Sequence, residues 1–177
     1  MADVADVTLT PMHRRHLRTV LRIEEQAYPR PWSQALFLSE LGMGDQRTYL
    51  VAKVDGTVVG YGGVMYVLPD AHVTTIAVDP AHHRRAIGTR LLLALCRAAV
   101  AKGATALTLE VRVSNDAAQA LYSGFGFAPA GVRKGYYADT GEDAIVMWAH
   151  DVDQPGFGAR LDQLAAAIPG TTRVEAA

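Results

Sequence analysis

Residues 73–92 read VTTIAVDPAHHRRAIGTRLL, and this stretch determines the class of fold. A strand is predicted from His72 to Val78, because the residues after His72 are all β-branched or apolar, and Asp79-Pro80 ends it. A basic turn follows. From Ile87 the apolar residues recur at helical spacing until Gly103 ends the pattern. A strand, a turn and a helix in this order predict the first part of a parallel β-α-β unit with a right-handed crossover.

The residues after this helix complete the unit. Apolar and polar residues alternate from Ala106 to Val113, which predicts a strand with Thr108, Glu110 and Arg112 on its polar face. Asn115 is a suitable N-cap for a helix over 116–123. The other predicted elements are strands at 7–10, 48–54, 57–67, 127–133 and 144–148, and helices from Thr10-Pro11 to Tyr28 and over 34–41 with Ser33 as its cap.

These elements predict one α/β domain with a mixed sheet over residues 1–150. Asp55-Gly56, between two of the strands, is a strong signal for a two-residue hairpin. Residues 151–177 are predicted to form a C-terminal tail, with an apolar stripe at helical spacing formed by Phe157, Leu161, Leu164 and Ile168. Such a helix would pack on its own domain or dock a partner, and the third alternative is a loose tail.

Composition excludes several classes of protein. The chain has 177 residues, of which 50% are hydrophobic and 20% charged, and this balance is typical of globular rather than disordered proteins. A net charge of −1 gives no general attraction to nucleic acid or to a membrane surface. The first residues contain acids and no apolar signal segment, so we expect a cytoplasmic protein. We also expect it to be a monomer or a weak dimer.

Three features of the sequence have a purely structural interpretation as well as a functional one. The basic turn before Ile87 suits a phosphate, because a helix N-terminus presents unpaired N–H groups, but it also suits a solvated loop. His82 and His83 are adjacent and lack the spacing of a metal pair, so no metal is expected. Cys96, the single cysteine, lies on the apolar face of its helix and is interpreted as a buried thiol.

Several segments together resemble the GNAT superfamily of N-acetyltransferases. Residues 76–80 and 83–88 are similar to its acyl-CoA motif, Q/R-x-x-G-x-G/A, except that His83 replaces Gln or Arg and Ala86 replaces the first Gly. If position 86 needs a positive φ, the alanine costs about 1 kcal/mol. If its backbone is already helical, the only change is a methyl group near the pyrophosphate. The resemblance covers roughly residues 7 to 149 and is closer to the RimI-type alanine N-acetyltransferases. Its other segments are PWS (31–33), LEVR (109–112), SN (114–115), ALY (120–122), GF (126–127), KGYY (134–137) and EDA (142–144).

The resemblance implies a GNAT fold whose central sheet is splayed at an acetyl-CoA site, with flanking helices. It implies that Glu110 accepts the proton of the amine and that Tyr122 protonates the leaving thiolate. The residues implied for acetyl-CoA are Ile76, Ala77, Val78, Arg84, Arg85, Ala86, Ile87, Gly88, Thr89 and Asn115, and those implied for the acceptor peptide are Trp32, Tyr136 and Tyr137. The two catalytic candidates and the three aromatic residues also have purely structural interpretations. Glu110 would be a solvated strand residue, Tyr122 would belong to the core, and the other aromatic residues would pack on the surface. Glu24 and Glu25 end the first helix near the wall formed by Trp32, and we expect them on a solvated helix face, the alternative being attraction of a basic peptide.

The same resemblance implies the acceptor, the N-terminal alanine of a small-subunit ribosomal protein. Chemistry favours an α-amine independently. Its pKa lies near 7.7–8.0, whereas lysine titrates near 10.4 and is about 400-fold less deprotonated at neutral pH. The alternatives are acetylation of a lysine, another N-terminus or a small molecule, and a non-catalytic module that binds CoA or a protein.

Overall fold

A computed structural model describes residues 5–176. Within these residues, eight strands form one mixed sheet, and five α-helices cover its faces. The strands are β1 (Asp6–Pro11), β2 (Arg47–Val54), β3 (Thr57–Val67), β4 (Asp70–Val78), β5 (Ala106–Arg112), β6 (Ala128–Tyr137), β7 (Glu142–His150) and β8 (Thr171–Val174). The helices are α1 (Leu17–Ala27), α2 (Gln34–Leu41), α3 (Ile87–Ala101), α4 (Asp116–Gly124) and α5 (Pro155–Ala166).

The strand order is β6-β7-β5-β4-β3-β2-β1-β8. The β4-α3-β5 unit is parallel, as predicted, and the neighbouring pairs β3·β4 and β5·β7 are antiparallel. Alternation along β2 divides the core into two. Leu50 and Ala52 pack with α3 and α5 on one face of the sheet, whereas Tyr49 and Val51 pack with α1 and α2 on the other. The mixed α/β fold expected from the sequence is confirmed.

The sheet opens between β4 and β5. Their pairing has three residue pairs, from Asp70↔Ala106 to His72↔Thr108. Beyond His72 the two strands diverge, although β4 continues to Val78 and β5 to Arg112. The backbone groups of β4 that face this opening therefore lack a ladder partner on β5, and the predicted splay is present.

The predicted helix start at Thr10-Pro11 is wrong. Pro11 ends β1, and the N–H of Met12 still donates to the carbonyl oxygen of Tyr49 on β2 at 2.9 Å. The helix begins later because a short turn at Arg14–His16 precedes it, and the N–H of His13 donates to Nδ1 of His16 at 3.0 Å. A proline suits the end of a strand as well as a first helical turn, so local sequence did not distinguish the two.

The predicted tail helix is α5, which packs on its own domain. Phe157 and Leu161 are buried in the core that includes α3, and the partly buried Leu164 and Ile168 pack against the same core. The sequence did not predict β8, which pairs in parallel with β1 from Asp6↔Thr171 to Leu9↔Val174. No described helix is long and apolar enough to cross a membrane.

Candidate active site

A cavity of about 380 Å³ lies where β4 and β5 diverge. The strands contribute one wall each, and the end of α1, the start of α4 and the β6–β7 hairpin complete it. Of the residues predicted for the site, those lining it are Trp32, Ile76, Glu110, Asn115, Tyr122, Tyr136 and Tyr137. Ala77, Val78 and residues 84–89 lie outside this lining. The fold thus brings both predicted catalytic side chains into one cavity.

Glu110 lies on the polar face of β5, inside the opening. Its side chain is only 11% exposed, so Glu110 is not a solvated strand residue, which was the structural alternative to a catalytic role. Oε2 is 2.5 Å from Nε2 of His72, and Oε1 is 3.6 Å from Nη2 of Arg133. The hydrogen bond with His72, with a smaller contribution from Arg133, lowers the pKa of Glu110 below its usual range. The carboxylate is therefore ionised at neutral pH.

Sequence reasoning missed His72, which lies on β4 at the last pair with β5. It lines the cavity, and among the described atoms its buried Nδ1 has no hydrogen-bond partner. The alternation of side chains along β4 indicates the face on which His72 lies, although not its contact with Glu110. In a parallel β4·β5 pair, a histidine between two buried apolar residues of β4 faces the same side as the polar residues of β5. Histidine beside a carboxylate is a common arrangement for moving protons.

Tyr122 lies on α4 and belongs both to the core and to the cavity. Its ring packs edge-on against Phe127, with centroids 6.0 Å apart. Among the described residues its hydroxyl has no hydrogen-bond partner, and burial raises its pKa well above the ordinary value. The hydroxyl therefore keeps its proton at neutral pH and is able to donate it into the cavity.

The aromatic residues predicted for the acceptor stand on two walls. Tyr136 and Tyr137 pack edge-on against each other at 5.1 Å. The guanidinium of Arg112 lies 3.9 Å from the centre of the Tyr137 ring and 2.7 Å from the carboxylate of Asp139. Arg112 thus ties the β6–β7 hairpin to β5. On the other wall, Trp32 packs on Phe37 at 5.3 Å.

The sequence predicts Glu24 on a solvated helix face, and this prediction is wrong. It is 2% exposed, and its carboxylate accepts hydrogen bonds from the N–H of Trp32, at 3.0 Å, and from the hydroxyl of Tyr61. Burial raises its pKa. Glu25 is exposed, as expected. The difference arises because the chain turns back after α1 and places Trp32 over Glu24, a contact that helical periodicity does not show.

The residues predicted for acetyl-CoA occupy two places. Asn115 caps α4, since its Oδ1 accepts from the N–H of Ala118 at 3.1 Å, and it also lines the cavity. The hydroxyl of Tyr28 donates to the carbonyl oxygen of Ile76 at 2.8 Å, so one backbone group of that residue already has a partner. Residues 84–86 form the turn into α3, after the carboxyl end of β4, and residues 87–89 begin the helix.

Ala86 is the N-cap of α3 and has a left-handed backbone, with a φ of 55° and a ψ of 29°. The condition set out from the sequence is therefore met, and the alanine is strained where the motif has glycine. We expect Ala86→Gly to raise the free energy of unfolding by about 1 kcal/mol. Denaturant unfolding measures this. The matched control is Ala98→Gly inside α3, which should lower stability by about 0.5–1 kcal/mol. A loss of stability in both variants would contradict the expectation.

Comparison with known proteins identifies the family of the chain. The model of the acetyltransferase (GNAT) family matches residues 17–127. The chain belongs to this family. It is 39% identical to the N-alpha-acetyltransferase RimI of Mycobacterium tuberculosis (strain ATCC 25618 / H37Rv) over 152 residues, which cover 82% of this chain and 94% of that protein.

Two further similarities concern Escherichia coli. The chain is 35% identical to the ribosomal protein bS18-alanine N-acetyltransferase of strain K12 over 142 residues, 79% of this chain and 95% of that protein. The crystal structure of the ribosomal-protein-S18-alanine N-acetyltransferase from this species superposes with a TM-score of 0.75 at 34% identity, covering 82% of this chain and 94% of that one. The GNAT resemblance derived from the motifs is confirmed, and the chain is an acetyl-CoA-dependent N-acetyltransferase.

Proposed function

We propose that this enzyme acetylates the N-terminal α-amine of a protein, and that its acceptor is the N-terminal alanine of a small-subunit ribosomal protein. The observation that carries the proposal is the meeting of Glu110 and Tyr122 in one cavity, at the point where β4 and β5 separate. The names of the relatives from Mycobacterium tuberculosis and Escherichia coli support an N-terminal amine, and the latter supports alanine.

The chain offers a place for each part of acetyl-CoA, which supplies the acetyl thioester. After His72 the edge of β4 that faces the opening lacks a partner strand on β5, and it suits an extended arm with amide groups, as an added strand would pair with a sheet edge. Asn115 stands at the cavity end of that path. The turn into α3 presents the unpaired N–H groups of a helix N-terminus and the arginines 84 and 85, which suit a pyrophosphate.

Transfer forms a bond between the amine nitrogen and the acetyl carbon and breaks the bond between that carbon and sulfur. Glu110 takes the proton that the amine loses, directly or through a water molecule, and His72 holds the carboxylate in position. Tyr122 gives its proton to the departing thiolate. Trp32 and the Tyr136–Tyr137 pair form the walls between which the first residues of the acceptor enter.

The test is release of free thiol from acetyl-CoA in the presence of an acceptor peptide. The peptide has the N-terminal sequence of the ribosomal protein bS18 from the same organism, with alanine as its first residue, and it contains one lysine. The matched control has the same sequence with a blocked N-terminus. We expect turnover on the free peptide and none on the blocked one.

Two results would contradict the proposal. Equal turnover on the two peptides would assign the activity to lysine. Absence of turnover on either peptide, with acetyl-CoA still bound, would turn the search to small-molecule amines and then to a role without catalysis.

A further inference from the structure

Arg90 is a buried charge that makes no close ion pair, although the carboxylate of Asp6 attracts it from a greater distance. It lies in the first turn of α3 and is 2% exposed. None of the ion pairs within residues 5–176 involves it. Its guanidinium instead donates to three backbone carbonyl oxygens and one hydroxyl. These are Arg85 O at 3.3 Å, Thr171 O at 3.0 Å, Pro169 O at 2.5 Å and Thr172 Oγ1 at 2.5 Å. A buried arginine is costly unless such bonds satisfy it, so the arrangement is specific.

One end of this network is the turn that precedes α3. The carbonyl of Arg85 belongs to the same peptide unit as the N–H of Ala86, and in a trans peptide these two groups point in opposite directions. Nε of Arg90 draws the carbonyl inward, and the N–H of Ala86 is thereby directed away from the guanidinium. Arg84 and Ala86 have left-handed φ values of 69° and 55°. Strained residues of this kind persist only where the surroundings hold them.

The other end of the network is the C-terminal segment, residues 169–174, which is itself fixed. β8 pairs with β1, the hydroxyl of Thr171 donates to Asp6 at 2.6 Å, and the N–H of Glu175 donates to Leu9 O at 2.9 Å. Arg90 therefore connects the turn at 84–86 to the edge of the central sheet, rather than to another loop.

We propose that Arg90 is a positioning residue for acetyl-CoA, and that through it the C-terminal segment 169–174 supports the turn that binds the pyrophosphate. This inference rests on the proposed place of acetyl-CoA. A role in packing alone would not need a guanidinium, because apolar side chains such as Leu50, Leu93 and Ala94 line the cavity of about 490 Å³ beside it. The guanidinium is needed for its donors, since an apolar residue of similar volume would leave the three carbonyl oxygens and the hydroxyl unsatisfied.

The experiment compares two acetyl donors in Arg90→Met, which keeps the volume and removes the hydrogen-bond donors. Acetyl-CoA carries the pyrophosphate, and S-acetylpantetheine lacks it. We expect KM for acetyl-CoA to rise about tenfold, as for the loss of one restraint on a strained turn, with kcat at saturation unchanged. KM for S-acetylpantetheine should stay the same. The matched control is Arg97→Met, on the same helix and at the same cavity, where Arg97 pairs with exposed Asp162.

A second variant keeps the test decisive if Arg90→Met does not fold. Thr172→Val removes only the hydroxyl acceptor. We expect a smaller effect of the same kind, a rise of about two- to threefold in KM for acetyl-CoA with KM for S-acetylpantetheine unchanged. Equal effects on both donors, or no effect on either, would show that Arg90 acts only on stability and would overturn the inference. Failure of the wild-type chain to bind acetyl-CoA would instead overturn the proposed function.

Discussion

Glu110→Gln is expected to lower kcat by about 10²–10⁴-fold, the usual contribution of a general base. Glutamine keeps the shape of the side chain and the contact with His72 but does not accept the amine proton. Because the hydrogen bond with His72 lowers the pKa of Glu110, the base is already ionised at neutral pH. The wild-type rate should therefore rise with pH as the acceptor α-amine, with a pKa of about 7.7–8.0, loses its proton.

The measurement is thiol release with both substrates saturating. The matched control is Glu40→Gln, since Glu40 is also a half-buried, ion-paired carboxylate, 3.0 Å from Arg47 and away from the cavity. It should retain the wild-type kcat. A kcat for Glu110→Gln within a few-fold of wild type would remove Glu110 from the mechanism.

The stability of the same variant depends on pH with a definite sign. A lowered pKa in the folded state means that the carboxylate of Glu110 stabilises the fold above its usual pKa of 4.5, and that this contribution is lost as the pH falls through the folded-state pKa. Glu110→Gln should thus be less stable than wild type at pH 7, with a difference that narrows below pH 4.5. Activity is therefore compared near neutral pH after thermal melts have shown both proteins folded.

Tyr122→Phe is expected to lower kcat by about 10²-fold or more, the lower end of the range for a lost general acid. Phenylalanine keeps the edge-on packing against Phe127, so Tm should change little. Burial holds the pKa of Tyr122 far above neutral, and its titration will not shape the rate profile between pH 6 and 9. The loss should be uniform across that range, as for a missing donor rather than a shifted one.

The control for this variant is Tyr66→Phe. The hydroxyl of Tyr66 is hydrogen-bonded to Thr48 at 2.6 Å, outside the cavity, and its loss should leave kcat unchanged. If Tyr122→Phe released thiol at the wild-type rate, a water molecule or the substrate would have to protonate the sulfur, and Tyr122 would be a residue of the core alone.

Local signals in the sequence predicted most of the fold. The Asp55-Gly56 turn joins β2 and β3, and Ser33 and Asn115 cap α2 and α4. These features were predictable because each depends on residues within four positions of one another. The apolar alternation of β5 placed Glu110 on its polar face. The periodicity of the elements predicted the mixed sheet, whereas its splay was predicted only through the family resemblance.

Contacts between distant residues were not predictable in this way. The pair of His72 and Glu110 depends on the register of two parallel strands, which neither strand encodes by itself. The burial of Glu24 depends on how the chain turns at Trp32. The strand β8 lies beside β1, 165 residues away along the chain at the contact of Asp6 with Thr171, and nothing near either strand signals the pairing.

That late strand also changes what the molecule presents to its own copies. Without β8, the free edge of β1 would offer a row of unpaired N–H and C=O groups, a template on which another chain adds. β8 covers this edge with four residues, short and exposed, among them the charged Arg173. A strand of four residues presents few backbone groups for further pairing, so β8 protects this edge of the sheet from edge-to-edge aggregation.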